Sequence, residues 1–421
     1  MLKRSLLIAV AVVAGFLLAQ EAARRLAAPS WWPDRARERN VRYFRDVLTT
    51  VKENYVDGTK ADYDELTRAA LRGLLSELDP HSEFLTAEEF QETEEELSNE
   101  FSGVGIQVEQ RDGKILVISP IAGTPSERAG IRRGDQLVRV DGQPLENPTL
   151  DKAVRLIRGK PDTEVALTFY RPSLDRELEF RLKRQRILMN SVRNVGLRPD
   201  GLGYLQITQF SEKTGQEFAA ALAQLEKQGL RGLILDLRNN PGGLLDAAIA
   251  VCEQFFEPGE LIAYTQGRTP ESRENFRAEA THPLRRYPVA ILINGGTASA
   301  AEIVSGAMRD TQRAVIVGER SFGKGSVQSV IELQNGEGLR LTTARYYTPS
   351  GITLHEKGVT PHVEIELSDD DESKLRLQQS RADLAAPAEF ADRFGFTPVE
   401  DVQLQAAAEV LTGVLAARGK P

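Results

Sequence analysis

Hydrophobic and polar positions change rhythm several times along this chain. Between residues 36 and 98, Val41, Phe44, Val47, Leu48 and Val51 recur at helical spacing, and Leu66, Ala70, Leu71, Leu74 and Leu75 do so again. That period predicts amphipathic helices. Pro80 in "LDPHSEFL" breaks the pattern, and Phe90 to Leu97 reads as a strongly acidic helix or solvated face. From 101 to 186 the rhythm becomes short alternations. "GVGIQVEQRDGKILVISPI" predicts two strands around Asp112-Gly113, and "QLVRVDGQPL" a strand ending at Asp141-Gly142. "TPSERAG" and the amphipathic "LDKAVRLIRG" predict two helices, and "EVALTFYRP" and "RELEFRLKR" two further strands. These elements make a self-contained unit.

Residues 187–367 alternate between the two periods. Strands are predicted at 202–208, 231–237, 289–293 and 314–318, and helices at 212–228, 243–256 and 299–309. The unbroken apolar run "LILDL" predicts a sheet buried on both faces. Residues 265–285 read as a long polar loop, and "GSVQSVIELQNGEGLRLTTARYY" as two strands around Asn335-Gly336. Beyond 368 come an acidic patch, Asp369 to Glu372, a linker containing Pro387, and a last helix carrying Val402, Leu404, Val410, Leu411, Val414 and Leu415. That helix is too apolar to stand alone, so it is expected to pack on the body or on a second subunit.

Composition removes several kinds of chemistry. A net charge of −8 and a pI near 5.4 disfavour nucleic acid as a partner. Cys252 is the single cysteine, so neither a disulfide framework nor a cysteine metal site can form. His81, His282, His355 and His362 show no HExxH spacing, so no metal is expected. At the N-terminus, Lys3 and Arg4 precede an unbroken apolar run from Leu6 to Ala19, with Ala22 and Ala23 following. This is the form of an export signal over residues 1–28, cleaved or kept as a membrane tether. It predicts an extracytoplasmic location, in the periplasm or cell envelope.

Candidate chemistry lies in "NGGTASAAEIVSGAMRDTQRAVIVGERSFGKGSVQ". Ser299 ends a small-residue turn between an apolar strand and a helix, where free backbone N–H groups favour an anion. A nucleophile is one reading. The spacing Ser299-x-x-Glu302 is also a capping box, and a plain N-cap is the other. A serine hydroxyl needs a base. Lys324, between Gly323 and Gly325, can serve only where burial or nearby positive charge lowers its pKa; considered alone it is an ordinary loop lysine. "GERSFGKGS" resembles a phosphate-binding loop, but Gly325 replaces the hydroxyl residue and a strand pattern follows, so nucleotide binding is rejected. In "LDLRNNPGG", Gly242 and Gly243 follow a buried strand. Their N–H groups, with that of Ala300, are candidates for an oxyanion hole; the alternative is a tight turn.

Together, "DPHSEFL", "FSGVGIQV", "SPIAGTPSERAGIRRGDQLVRVDG", "LIRG", "LDLRNNPGG", "NGGTASAAEIVSGAMRD", "GERSFGKGSVQ", "LTTARYYTPSG" and "GVTPHVEI" resemble the carboxy-terminal processing, or tail-specific, proteases in content and order. The resemblance implies a multi-domain α/β protein. An N-terminal helical region would span 34–98, an inserted PDZ domain 99–186, an α/β protease core of the ClpP/crotonase-like type 187–367, and a C-terminal helical region 368–421. It makes Ser299 the nucleophile, Lys324 the general base and Gln328 the residue that orients the lysine; positions 324, 326 and 328 would share one strand face. Gly103, Val104, Gly105 and Ile106 match the PDZ loop that captures a peptide's C-terminal carboxylate, the peptide adding as a strand. Arg158 offers a long donor that could reach the protease domain as a regulator; a solvated helix-end arginine is the alternative.

The implied activity is a cofactor-free serine endopeptidase acting near the free C-termini of protein substrates. A homodimer is the expected assembly, with an adaptor or regulatory protein as a further partner. A PDZ adaptor carrying an inert protease fold is the competing reading, and a Ser-His hydrolase a third. His362 in "TPH", where the family more often has Pro-Asp, is expected to touch only a surface loop.

Overall fold

The computed structural model describes residues 35–421 apart from 99, 112, 122, 146–148, 280–283, 382–386 and 419–421. The export-signal expectation for 1–28 therefore lies outside the described residues. Among those described, no helix is long and apolar enough to cross a membrane. The chain divides into two compact units, Met1–Leu78 and Asp79–Pro421.

The first unit holds α1 (Arg35–Asn54) and α2 (Tyr63–Ser76). Asp62 caps α2, its side chain accepting from Asp64 N at 2.9 Å, which satisfies a donor the helix leaves over. The helical period of α1 is real, but Val41, Phe44, Val47 and Val51 on its apolar face are exposed.

The second unit opens with β1 (Glu83–Leu85) and the acidic helix α3 (Ala87–Ser98). The chain then enters an inserted domain on β2 (Glu100–Gly103) and leaves it on β9 (Gln185–Leu188). These two strands pair antiparallel, so entry and exit lie side by side. Between them run β3 (Ile106–Arg111), β4 (Lys114–Pro120), α4 (Pro125–Arg128), β5 (Gln136–Val140), β6 (Gln143–Pro144), α5 (Leu150–Ile157), β7 (Glu164–Arg171) and β8 (Arg176–Lys183). Five strands order as β3-β4-β5-β7-β8 around a core of Val104, Ile115, Val117, Leu137, Leu167 and Phe169. β3 is an edge strand, with an open side for another strand to join.

The main body contains β10 (Val192–Leu197), β11 (Leu202–Ile207), α6 (Thr214–Lys227), β12 (Gly232–Asp236), α7 (Leu245–Glu253), β13 (Leu261–Gly267), β14 (Arg273–Arg277), β15 (Val289–Ile293), α8 (Ala300–Asp310), β16 (Ala314–Gly318), β17 (Ser326–Glu332), β18 (Gly338–Tyr347) and β19 (Val363–Glu364). A six-stranded sheet orders as β10-β11-β12-β15-β16-β19, parallel except at β10. Its strands alternate strictly. Leu233, Leu235, Ile291 and Ile316 face a core shared with Phe218 and Leu222 of α6, Val251 of α7 and Val304 of α8. Ile234, Ala290, Leu292 and Val317 face the other way, onto a core shared with Ala407, Ala408 and Leu411. Burial on both faces is what "LILDL" predicted. A second, antiparallel sheet runs β1-β18-β13-β14, with β17 also paired to β18.

The last residues form α9 (Asp369–Ser380), α10 (Pro387–Phe394) and α11 (Val402–Arg418). α11 covers the outer face of the six-stranded sheet, so of the two expectations for the last helix the structure shows packing on the body. Its deepest positions are the small Ala407 and Ala408 with Leu411, while Val402 stays exposed. Gln403 is also fully buried, and three partners satisfy it: Arg238, Glu319 and the Ile365 carbonyl.

Three expectations change. The first part of residues 265–285 is not a loop: β13 and β14 form a hairpin over Leu261–Arg277. β14 is an edge strand with polar side chains exposed on both faces, so it lacks the alternation by which strands are recognised. The acidic patch is the first turn of α9, a helix the pattern did not predict, capped by the Ser368 hydroxyl where the helix dipole favours carboxylates. Pro387 opens α10, a position where its missing N–H costs nothing. His362 does more than sit in a loop. Its N–H donates to Ile316 O (2.8 Å) and its Nδ1 accepts from Ile316 N (3.0 Å), carrying the sheet toward β19.

The tail also grips the inserted domain. Glu109 on β3 pairs with Arg381 (3.0 Å) and with Arg393, and Arg133 pairs with Glu389 (3.1 Å). Arg381 is 4% exposed there, so this contact is desolvated. Leu411→Ala should destabilise the catalytic body by about 2–4 kcal/mol through transfer and cavity terms. A urea titration of the variant would show this as an earlier midpoint.

Candidate active site

Two turns at the carboxyl ends of β12 and β15 are laced together. Asn294 Oδ1 accepts Asn239 N (2.8 Å) and Gly296 N (3.1 Å). Thr297 Oγ1 donates to Leu237 O (2.9 Å), and Ala298 N to Asn240 O (2.9 Å). Asn240, fully buried, reaches Ile207 O through Nδ2 (2.7 Å). These asparagines make side-chain bonds that the backbone of a tight turn cannot make for itself. Behind them, Arg238 is buried among Asp236, Asp401 and Gln403, with Tyr204 OH donating to Asp236 at 2.7 Å. The two carboxylates hold the Arg238 guanidinium well above its ordinary pKa against the cost of burial.

Ser299 stands between the second turn and α8 with φ 53° and ψ −118°. An N-cap residue ordinarily takes an extended conformation. A non-glycine residue held at positive φ costs about 1–3 kcal/mol and survives only where its surroundings over-determine it. Glu302 does reach back to Ser299 N (2.9 Å), so the capping box is present. The same carboxylate also accepts from Ser321 Oγ (2.5 Å), Gly323 N (2.7 Å) and Lys324 N (2.8 Å). Burial pushes the Glu302 pKa up, and the four donors oppose that. One buried carboxylate thereby ties the Ser299 backbone to the Lys324 loop.

Ser299, Lys324 and Gln328 line one cleft of about 610 Å³, with Gly242, Gly243, Leu244, Leu245, Val327 and Arg340. Among the described residues no histidine lines it. Lys324 is half-buried. Its pKa is lowered by burial first and by the Arg340 guanidinium second, against an upward pull from Glu83. Gln328 differs from the expectation of a shared face: Lys324 precedes β17, and the pairing of β17 with β18 shifts between Val327 and Gln328. In this arrangement Gln328 Nε2 donates to Ser326 Oγ (3.0 Å) and Thr342 Oγ1 (2.9 Å).

The three candidate oxyanion donors separate. Gly242 N is engaged with Asn240 Oδ1 (2.8 Å). Among the described residues no hydrogen bond engages Gly243 N or Ala300 N. Gly242 instead provides room: with φ +101°, a Cβ there would lie 2.6 Å from Ser299 Cβ and 2.9 Å from Ala300 N. A Cβ on Gly243, at φ +134°, would run into the Phe210 carbonyl.

Comparison with known proteins supplies the family. Residues 201–365 match the model of peptidase family S41, and 92–169 that of the PDZ domain. A carboxy-terminal-processing protease of Bartonella bacilliformis is 40% identical over 328 residues, covering 77% of this chain and 74% of that protein. The chain belongs to the carboxy-terminal processing proteases. The processing protease CtpA of Bacillus subtilis is 38% identical, over 76% of this chain and 67% of its own. A solved structure from Bacteroides fragilis assigned to the S41 proteases shares the fold, with a TM-score of 0.52 and 17% identity over 92% of this chain and 99% of that one.

In this processing protease the PDZ domain carries a groove of about 190 Å³ between β3 and α5. Gly103, Val104, Gly105 and Ile106 line it together with Phe101, Val108, Leu150, Val154 and Ile157. Arg158 also lines this groove, its guanidinium over the Phe101 ring at 5.2 Å. It therefore sits within the PDZ domain here, not against the catalytic sheet.

The sequence reading missed Glu302 as a link between the two loops, and it missed Arg340, Glu83, Asn240 and Asn294. The S-x-x-E spacing was a usable signal for Glu302, but a capping box explained it fully without the second loop. Gly242→Ala should abolish peptide hydrolysis and also lower the melting temperature, because the added methyl meets Ser299 Cβ, the Ala298 carbonyl and Ala300 N at a positive φ that strains an alanine; an activity assay and a thermal melt of the purified variant check both.

Proposed function

We propose that this protease cleaves polypeptides near their C-termini, with Ser299 as nucleophile and Lys324 as general base. The observation that carries this reading is the buried Glu302, which fixes a strained serine and a lysine of lowered pKa at one cleft. Neutral Lys324 takes the proton from Ser299 Oγ as Oγ attacks the scissile carbonyl carbon. The carbonyl oxygen gains the charge, and Gly243 N–H and Ala300 N–H are the donors suited to it. Lys324 then gives the proton to the departing amine, leaving an acyl-serine. Water, deprotonated by Lys324, releases the acyl group and restores the serine. Gln328 braces the start of β17, just after the lysine, through Ser326 and Thr342.

The apolar PDZ groove, ending at the Gly103–Ile106 loop, suits a substrate with a free, apolar C-terminus added along β3. The basic-then-apolar N-terminus supports an envelope location, and the exposed apolar face of α1 suits burial against a second copy in a homodimer.

Ser299→Ala and Lys324→Ala should each remove nearly all turnover. The double variant should be no worse than either single one, since the pair acts as a unit; strictly multiplicative losses in kcat/KM would defeat the assignment. With Lys324 as base, activity rises with pH as the ammonium loses its proton. Since burial and Arg340 lower that pKa, the rise should fall below the ordinary lysine range. A pH–rate profile of the purified enzyme measures it. Recognition of a free C-terminus is tested separately: a substrate amidated at its C-terminus should show a raised KM, and equal KM values would remove the PDZ domain from substrate capture.

A further inference from the structure

Arg340 lies in the cleft wall. It projects from β18, where the register sets it opposite Glu83 of β1 on one side and Val330 of β17 on the other. Its Nη1 donates to Glu83 Oε1 (2.6 Å) and its Nη2 to Thr93 Oγ1 of α3 (2.9 Å). Both ends of the guanidinium are thus held by separate elements while it faces the space that holds Lys324 and Gln328. The Arg340–Glu83 pair is partly exposed, at 30% and 50% of the side chains. A pair so wet adds little to stability, so fold strength alone does not account for it.

The charge environment of Lys324 is lopsided. Glu302 is spent on backbone N–H groups, including that of Lys324 itself. The charged side chains that act on the ammonium are Arg340, which disfavours its protonated form, and Glu83, which favours it. Arg340 is permanently charged, and its clamp fixes where that charge sits.

We propose that Arg340 is a positioning residue for the general base: clamped by Glu83 and Thr93 in the cleft wall, its fixed positive charge disfavours a second cation at Lys324. Glu83 has two opposed effects, holding Arg340 in place and partly cancelling its charge. The inference rests on Lys324 being the base, and it adds a second cause, beside burial, for the lowered pKa of that lysine. Burial contributes most, and a like charge held at fixed geometry contributes the part a substitution can remove without opening the cleft.

The test is the acid limb of the pH–kcat/KM profile in the full-length protein. Arg340→Gln should move that limb to higher pH, so that activity is lost where the parent is active and recovered at higher pH. Arg340→Lys, which keeps the charge, should leave it near the parent's position. A structural role predicts something else: loss by one factor at every pH, with the limb unmoved. That outcome overturns the proposal. Lys324→Ala separates the two levels. If that variant keeps its turnover, the dyad reading fails and the proposal with it. If it is inactive and Arg340→Gln shows no shift, the proposal alone fails.

Discussion

The carboxylate of Glu302 is the contact on which the catalytic geometry depends. It is fully buried and takes four donors from two chain segments, the start of α8 and the loop before β17. Burying an ion is costly unless its hydrogen-bonding capacity is filled, and here every partner is a donor. That cost is returned as position. Ser299 remains in a backbone conformation that a serine avoids, and Lys324 remains beside it although the two are far apart in sequence. No direct bond between the Ser299 and Lys324 side chains is needed to explain why they share a cleft; the scaffold beneath them imposes it.

A second tier of polar contacts sits under the first. The turn with Gly242 and the turn with Ser299 are joined through Asn240, Asn294 and Thr297. The strand end before Gly242 is fixed by Arg238, whose partners Asp401 and Gln403 come from the last helix and its approach. A tail that looks peripheral in chain order therefore backs the catalytic turn. Its α9–α10 portion reaches Glu109 of the PDZ strand as well. Turning the PDZ domain from this position means taking Glu109 away from two arginines.

The regular elements of the catalytic body were legible because each obeys a strong period. "LILDL" and "VAILI" are buried on both sides of the sheet, and the observed strands Gly232–Asp236 and Val289–Ile293 fall on them. Asn335-Gly336 marked its hairpin because both residues take positive φ. β14 was invisible because an exposed edge strand has no buried face to impose alternation, and the acidic start of α9 because acids also mark linkers. At the site, Ser299, Lys324 and the two glycines stood out by their unusual neighbours. Arg340 and Glu83 did not. An arginine in a strand and a glutamate after a turn carry no local mark, and their relation to Lys324 exists only after β1 has paired with β18. The engagement of Gly242 N by Asn240 is likewise a fact of turn geometry that composition cannot express.

The order in which the chain is made gives the Arg238 network another meaning. Ser299, Lys324, Gln328 and Arg340 are all synthesised well before Asp401, Gln403 and Leu411. Until those late residues emerge, Arg238 has only Asp236 among its carboxylate partners, and the outer face of the sheet around Ile234 and Leu292 has no cover. A growing chain thus carries all of these proposed site residues while the turn that bears Gly242 still lacks its backing. Backing of the Gly242 turn is deferred until residues 401–411 have been made.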